Sequence, residues 1–369
     1  MIPVYEPDIG AAEVEAVAQA VRRGEISGSF GGTIPNFEKA FATWCGVRHG
    51  VAVSSGTTAL HAAVAAARIG PGDEVLVSAS TYIATALAVY HNGAVAVPVD
   101  SEPETWNLDL DVMEGLITSR TKAVIPVHLY GHPVDMDRLD AIAKRFGLYV
   151  IEDCAEAHGA RVRGRMVGSF GKMNCFSFFA NKVITTGEGG MILTDDDDLA
   201  TDLRSLRTHG VDTPRYFHES PGYNFRMTGM QAALGLAQMR RVDEIVEKKR
   251  RVASHYSSRL RDLLELQLPC EMDWARSVYW MYAVVIRHDA GVKRDAVMKR
   301  MLDAGVDTRT FFCPMGQQPF LRDQPGFRDA PCPVADGLWE RGFCLPSSPL
   351  LTEETVDRIC AALRKALRV

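Results

Sequence analysis

One lysine of this chain is placed to do covalent chemistry. Lys182 closes the run Cys175-Phe176-Ser177-Phe178-Phe179-Ala180-Asn181-Lys182, and a glycine-rich turn, Gly187-Glu188-Gly189-Gly190, follows it. The run is aromatic and mostly apolar and reads as a strand with the lysine at its end. A lysine there is poorly solvated, so its neutral amine is easier to reach than in water. A neutral amine beside an aldehyde condenses to a Schiff base, which is how lysine serves as a covalent catalyst. The alternative is a strand-end lysine whose ammonium points to solvent.

Two further features suit a phosphorylated, ring-containing cofactor. In Val53-Ser54-Ser55-Gly56-Thr57-Thr58-Ala59-Leu60 a strand enters a turn of small residues that opens a helix. Such a turn offers free backbone N–H groups and the positive end of a helix dipole to a phosphate. Ser55, Gly56 and Thr57 are the candidate ligands, with Gly56 permitting close approach of the backbone. The Gly-Lys-Ser/Thr element of a Walker A loop is missing, and the same turn also serves as a plain helix cap. In Val150-Ile151-Glu152-Asp153-Cys154-Ala155-Glu156-Ala157, Asp153 leaves an apolar strand at its carboxyl end, where open α/β sheets place ligands. A carboxylate there can keep a pyridinium nitrogen protonated and so make the ring an electron sink; equally, it can cap a helix. Glu156 lies either beside the phenolic oxygen of such a ring or in solvent. Ser177, five residues before Lys182, is a further candidate phosphate ligand. Tyr82, in Ser80-Thr81-Tyr82-Ile83-Ala84, follows a strand and is placed to stack on a ring or to pack ordinarily.

The elements that must position these residues alternate. Strands are predicted at 51–54, 74–77, 95–99, 123–127 and 149–152, and helices at 57–68, 83–91, 110–117 and 136–146. This βαβ order predicts an α/β fold whose large domain holds a mostly parallel sheet with helices on both faces. Residues 228–264 keep helical periodicity and many charges, as one long helix or two with a break, bridging to a smaller C-terminal α/β domain. The division expected is 1–240, a large cofactor-binding domain, and 241–369, which begins with the bridging helix. Strand 279–286 and helices 293–303 and 352–367 belong to the second part, and the loop 314–333 is a candidate cover for the site. Asp195-Asp196-Asp197-Asp198 reads as a helix cap rather than a metal site. His128 and His132, four apart but separated by Gly131, read as core or supporting residues.

Composition narrows the function classes. The chain has 369 residues, 47% of them hydrophobic, and a formal net charge of -5. That charge argues against nucleic acid as a partner. The start, Met1-Ile2-Pro3-Val4-Tyr5, has neither a basic nor an apolar leader region, and no apolar run approaches a membrane span. The 8 cysteines are scattered with no C-x-x-C pair, so free thiols in a reducing cytoplasm are expected.

The order of phosphate turn, stacking aromatic, strand-end aspartate and lysine resembles the fold-type I pyridoxal 5'-phosphate enzymes. The wording resembles one family among them, the sugar aminotransferases that act on nucleotide-linked keto-sugars. Ser54-Ser55-Gly56-Thr57-Thr58-Ala59-Leu60, Gly70-Pro71-Gly72-Asp73-Glu74-Val75, Val127-His128-Leu129-Tyr130-Gly131, Ile151-Glu152-Asp153 and Gly187-Glu188-Gly189-Gly190 all fit it. The resemblance implies that Lys182 holds pyridoxal phosphate, Asp153 pairs with the pyridine nitrogen, Tyr82 stacks on the ring, and Gly56, Thr57 and Ser177 bind phosphate. Asn224, in Gly222-Tyr223-Asn224-Phe225-Arg226-Met227, would reach the neighbouring subunit's phosphate, which implies a homodimer with shared active sites. Glutamate is the implied amino donor. The run from Ser177 to Met191 is nearest the perosamine-forming subgroup, whose acceptor is a GDP-linked 4-keto-6-deoxy-sugar; a dTDP- or UDP-linked keto-sugar is the alternative. Close relatives carry a histidine after F-x-P-M, whereas here Phe312-Cys313-Pro314-Met315 is followed by Gly316-Gln317-Gln318. Dehydratases on this fold replace the lysine with histidine, so Lys182 speaks against that activity. A non-catalytic nucleotide-binding or regulatory protein on the same scaffold would need neither Asp153 nor Lys182.

Overall fold

Apolar runs of five residues, each too short for a helix and bounded by turns, assemble into the central sheet of the computed structural model. The structure describes residues 1–369 apart from 29, 30, 213, 215, 219, 329 and 369. The strands are β1 (His49–Val53), β2 (Glu74–Ser78), β3 (Val95–Val99), β4 (Thr121–Ile125), β5 (Tyr149–Asp153), β6 (Met173–Ser177) and β7 (Gly190–Thr194), in the order β1-β7-β6-β5-β4-β2-β3. All run in one direction except β7, which is antiparallel to both neighbours. The mostly parallel α/β sheet is therefore as expected. β2 and β6 are buried along their whole length, as strands covered on both faces must be.

Helices α1 (Ala11–Arg22), α2 (Thr33–Cys45), α3 (Gly56–Ala66), α4 (Ala84–His91), α5 (Leu110–Gly115), α6 (Met136–Phe146) and α7 (Asp197–Arg207) precede the C-terminal third. On one face of the sheet, Phe37 and Phe41 of α2 pack on Phe176 and Phe178. All four rings are fully buried, each contributing about 1.5–3 kcal/mol relative to exposure. They anchor the chain immediately before the Lys182 loop. On the other face α3 and α4 pack through Ala59, Ala62, Ala63, Ala86 and Val89.

Residues 228–264 form two helices, α8 (Gly229–Met239) and α9 (Val242–Leu260), with the break at Arg241, whose φ is -123. Val242, Ile245 and Val246 of α9 belong to the main core, while Val252, Ala253, Tyr256 and Leu260 belong to a second core. That second core covers a small antiparallel sheet of β8 (Leu266–Gln267), β9 (Tyr282–Ile286), β10 (Arg309–Thr310) and β11 (Gly342–Leu345), in the order β8-β9-β11-β10. Helices α10 (Arg294–Asp303), α11 (Pro333–Arg341) and α12 (Glu353–Leu367) complete the chain. The N-terminal residues join this sheet region: Ile2 bridges Val306, and the Ser347 amide donates to the Val4 carbonyl at 2.8 Å.

Several local expectations shift. The strand leading to Lys182 ends at Ser177, so the lysine lies in the loop after it rather than at the strand end. No helix follows Asp153, which rules out its role as a helix cap. Tyr279 has φ 48, a left-handed turn, so the strand expected from 279 begins at Tyr282. In the acidic run, Asp196 caps α7 by accepting from the amides of Asp198 and Leu199, while Asp197 pairs with Arg48 and His49. Among the described residues no helix is long and apolar enough to cross a membrane, and no cysteine is in a disulfide.

Candidate active site

The carboxyl ends of β1 and β6 lie on either side of β7, with Gly190 facing both Val53 and Ser177 in register. A Cβ on Gly190 would come 2.3 Å from the Ser55 carbonyl oxygen, so only glycine lets the three strand ends meet. From β1 the chain turns into α3 through a reciprocal cap. The Ser55 hydroxyl accepts from the Thr58 amide at 3.1 Å, and the Thr58 hydroxyl accepts from the Ser55 amide at 3.0 Å. Ser55 is thereby committed to the cap. The amides of Gly56 and Thr57, the first two helical residues, have no acceptor within the helix. A Cβ on Gly56 would lie 2.6 Å from that of Ser177, so the helix start sits directly against the end of β6.

These residues line one end of a cavity of about 450 Å³, whose other walls carry Tyr82, Asp153, Glu156 and Lys182. Lys182 is half-buried, with its Nζ 3.9 Å from the centroid of the Trp280 ring. Its loop is held from outside the large sheet. Trp280 Nε1 donates to the Asn181 carbonyl at 2.6 Å, and the Tyr5 hydroxyl donates to the Lys182 carbonyl at 2.7 Å. Burial lowers the pKa of the amine, and the charges of Glu156 and Asp153 oppose that shift.

Asp153 is buried at the end of β5. Its carboxylate accepts from the Thr85 hydroxyl at 2.8 Å and from the Ala155 amide at 3.1 Å. Burial still raises its pKa, against those two bonds and the Lys182 charge. Such a carboxylate has room for one more cationic or N–H⁺ partner from the cavity. Glu156 is buried, not solvent-facing; it accepts from the Tyr130 amide at 2.8 Å and its pKa is pushed up to about 7 by burial, with Lys182 opposing. Tyr82 is 59% exposed and meets Phe312 edge-on at 6.0 Å, leaving one face toward the cavity mouth. Asn224 is exposed, bridges Thr208 through its backbone, and does not line the cavity of its own chain.

Below the site, the Glu152 carboxylate accepts from the amides of Gly168, Phe170 and Gly171 at 2.6–2.9 Å and faces His128 Nε2 at 3.1 Å. His128 Nδ1 accepts from the Val134 amide at 3.1 Å, which makes Nε2 the protonated nitrogen. With Cys154 this group has metal-like spacing, but its donor atoms are spent on the protein's own hydrogen bonds. His132 is likewise a core residue, bonded to Pro133 and Met272. His158 is buried among Phe41, Phe176 and Phe178; burial and then the Lys182 charge lower its pKa to about 3, so it stays neutral.

The residues unread in the sequence are Tyr5, Thr85, Tyr130, Trp280 and Arg309. Thr85 had a signal, because it lies one helical turn beyond Tyr82. Tyr130 has φ 51, and a Cβ on the following Gly131 would come 2.8 Å from the amides of Tyr279 and Trp280. Glycine at 131 thus brings the Tyr130 turn onto the Trp280 turn.

The profile of the DegT/DnrJ/EryC1/StrS aminotransferase family matches residues 7–364. The chain belongs to this family. Among similar proteins, the GDP-perosamine synthase of Caulobacter vibrioides is 45% identical over 368 residues, covering 99% of this aminotransferase and 98% of its relative. The GDP-perosamine synthase of Escherichia coli O157:H7 is 39% identical over 365 residues, with 99% and 98% covered. The solved structure of S. venezuelae DesV with a ketimine intermediate superposes with a TM-score of 0.90 at 35% identity, covering 97% of this chain and 95% of that one. The aminotransferase therefore has the fold-type I architecture that its motifs implied.

Proposed function

We propose that this aminotransferase uses pyridoxal 5'-phosphate to move an amino group from glutamate to the ketone of a GDP-linked 4-keto-6-deoxy-sugar. The observation that carries the reading is the cavity itself. It sets a lysine whose amine burial makes easier to deprotonate, a buried carboxylate with room for a cationic partner, and an open helix N-terminus around about 450 Å³. These are the three groups that the amine-reactive aldehyde, the ring nitrogen and the phosphate of the cofactor call for. The identity to GDP-perosamine synthases supports the sugar and the nucleotide.

When bound, the cofactor supplies an aldehyde and an electron-accepting ring. The protein's own residues do the rest. The Gly56 and Thr57 amides and the Ser177 hydroxyl hold phosphate. Asp153 keeps the ring nitrogen protonated, and Thr85 fixes the orientation of its carboxylate. Glu156 sits where a protonated carboxyl can donate to a phenolic oxygen. Lys182 would take the proton from the donor's Cα and return it to the cofactor's former aldehyde carbon, on the other side of the amino nitrogen, as general base and then acid. The exposed position of Asn224 outside its own cavity supports a homodimer in which it serves the neighbouring site.

The test is a panel of GDP-, dTDP- and UDP-linked 4-keto-6-deoxy-sugars with glutamate, read by product mass and catalytic efficiency. The GDP sugar is expected to be best. A dTDP or UDP sugar preferred by more than about tenfold, roughly 1.4 kcal/mol of discrimination, overturns the nucleotide assignment. No amino-sugar from any of them overturns the substrate class.

A further inference from the structure

We propose that Arg309 is the anion-binding residue of the active site, taking an oxyanion of the substrate. That oxyanion is a carboxylate of the amino donor or the diphosphate of the sugar nucleotide. The inference rests on the function proposed above and adds the group that recognises substrate charge.

The charged side chains lining the cavity among the described residues are Asp153, Glu156, Glu188, Lys182 and Arg309. Three are acidic, and an anionic substrate entering there is repelled unless a cation compensates. Lys182 lies over the Trp280 ring and is the reacting amine. That leaves Arg309. It stands on the short edge strand β10, where its backbone is fixed opposite Cys344, itself a lining residue. Its side chain is exposed and makes no hydrogen bond or ion pair to the described residues. Other arginines of the C-terminal part are tied down: Arg294 donates to the Trp339 carbonyl, Arg300 to Ala366, Arg328 to Leu116 and Arg341 to Ile286. An untethered guanidinium beside aromatic walls can bind a carboxylate or phosphate through two parallel N–H bonds.

Its position also fits a long substrate. A second cavity of about 580 Å³ shares Thr81, Tyr82, Arg309, Thr310 and Phe312 with the first and continues past Ile83, Met298 and Gln318. Arg309 therefore stands at the junction of the two. A small donor confined to the inner cavity reaches it from one side. A sugar nucleotide with its ketone at Lys182 passes it on the way out.

Arg309→Gln and Arg309→Lys, made in the full chain and loaded with cofactor, test this. Glutarate and GDP binding are measured by isothermal titration calorimetry, and the glutamate half-reaction by cofactor absorbance as a function of glutamate concentration. Arg309→Gln is expected to weaken at least one anion by about tenfold or more, with Arg309→Lys retaining part of the affinity. Loss for glutarate with a higher glutamate requirement assigns the donor carboxylate. Loss for GDP alone assigns the diphosphate, and loss of both assigns both. Binding of both anions within about twofold of wild type overturns the inference. So does an equal loss in both variants with a lowered melting temperature, which marks a structural role. A wild-type enzyme with no absorbance change on adding glutamate instead overturns the aminotransferase reading, and the two binding arms still decide Arg309.

Discussion

The hydroxyl of Tyr5 donates to the main-chain carbonyl of Lys182 at 2.7 Å, linking residues 177 positions apart. Burial holds the Tyr5 phenol well above its ordinary pKa, so it remains a donor at any working pH. Tyr5→Phe removes this bond and leaves the carbonyl unpaired. A stability loss of about 1 kcal/mol is expected in denaturant unfolding. Single-turnover rates should fall while cofactor content is unchanged, because the amine is less firmly placed but the phosphate turn is intact. A variant indistinguishable from wild type in both assays shows that the Trp280 bond to Asn181 holds the loop alone.

Asp153→Asn should leave the fold and cofactor binding in place, since the amide oxygen can still accept from Thr85. It cannot match a carboxylate in stabilising a positive ring nitrogen. The glutamate half-reaction is expected to slow by more than about tenfold, at least 1.4 kcal/mol in barrier. An unchanged stopped-flow rate would reduce Asp153 to a hydrogen-bonding anchor for Thr85.

Glu156 gives a pH signature. Its pKa rises from 4.5 to about 7, burial being the main cause. Between those values the unfolded chain has lost this proton while the folded chain keeps it, so the group makes stability fall as pH rises. Glu156→Gln removes the penalty. The variant's stability advantage in cofactor-free protein should be absent near pH 4, grow through about pH 5–7 and then level off. Parallel stability curves over that range contradict the raised pKa.

Gly56→Ala places a methyl group 2.6 Å from the Ser177 Cβ. Neither side can yield easily, because both are in regular elements. The start of α3 should move away from β6, with a stability loss of about 1–3 kcal/mol. Cofactor affinity, measured by titration of apoprotein, should drop more than stability does. Retained affinity would mean that the Gly56 amide contributes nothing to phosphate binding.

Subunit mixing tests the role of Asn224. Lys182→Ala and Asn224→Ala are each expected to be impaired as homodimers, the first inactive but folded. In a heterodimer with shared sites both lesions fall in one site and the other is whole, so activity should return on mixing. Absence of recovery in heterodimers confirmed by mass argues that each chain completes its own site.

Much of this architecture was legible in the sequence because the large sheet is built from short apolar runs joined by capped helices. β2 through β5 fall within two residues of where alternation puts them. The Lys182 loop was misplaced for a physical reason. Phe178 and Phe179 extend the apolar run, yet the Phe178 amide bonds to Gly189 as the chain turns, and Phe179 is 44% exposed. Apolarity there serves the aromatic cluster with Phe37 and Phe41, not strand pairing. The position of the break between α8 and α9 left no mark because Arg240 and Arg241 suit a helix surface as well as a turn. Of the site, Ser55, Gly56, Asp153 and Ser177 sit at or just after strand ends and announce themselves by that context. Tyr5, Trp280 and Arg309 arrive from distant parts of the chain, and no local pattern encodes their convergence.

The anchoring of the N-terminal segment has a consequence for biosynthesis. Residues 2–5 leave the ribosome some 300 residues before their pairing partners at Val306 and Ser347. β1 likewise waits for β7 before it can join the sheet, some 140 residues later. Until then the segment ahead of α1 lacks the backbone anchors that hold Tyr5 beside the Lys182 carbonyl. The Tyr5 brace on the Lys182 carbonyl thus gains its own anchors only in a chain whose synthesis has passed Ser347, so a product interrupted earlier holds the Lys182 loop through Trp280 alone.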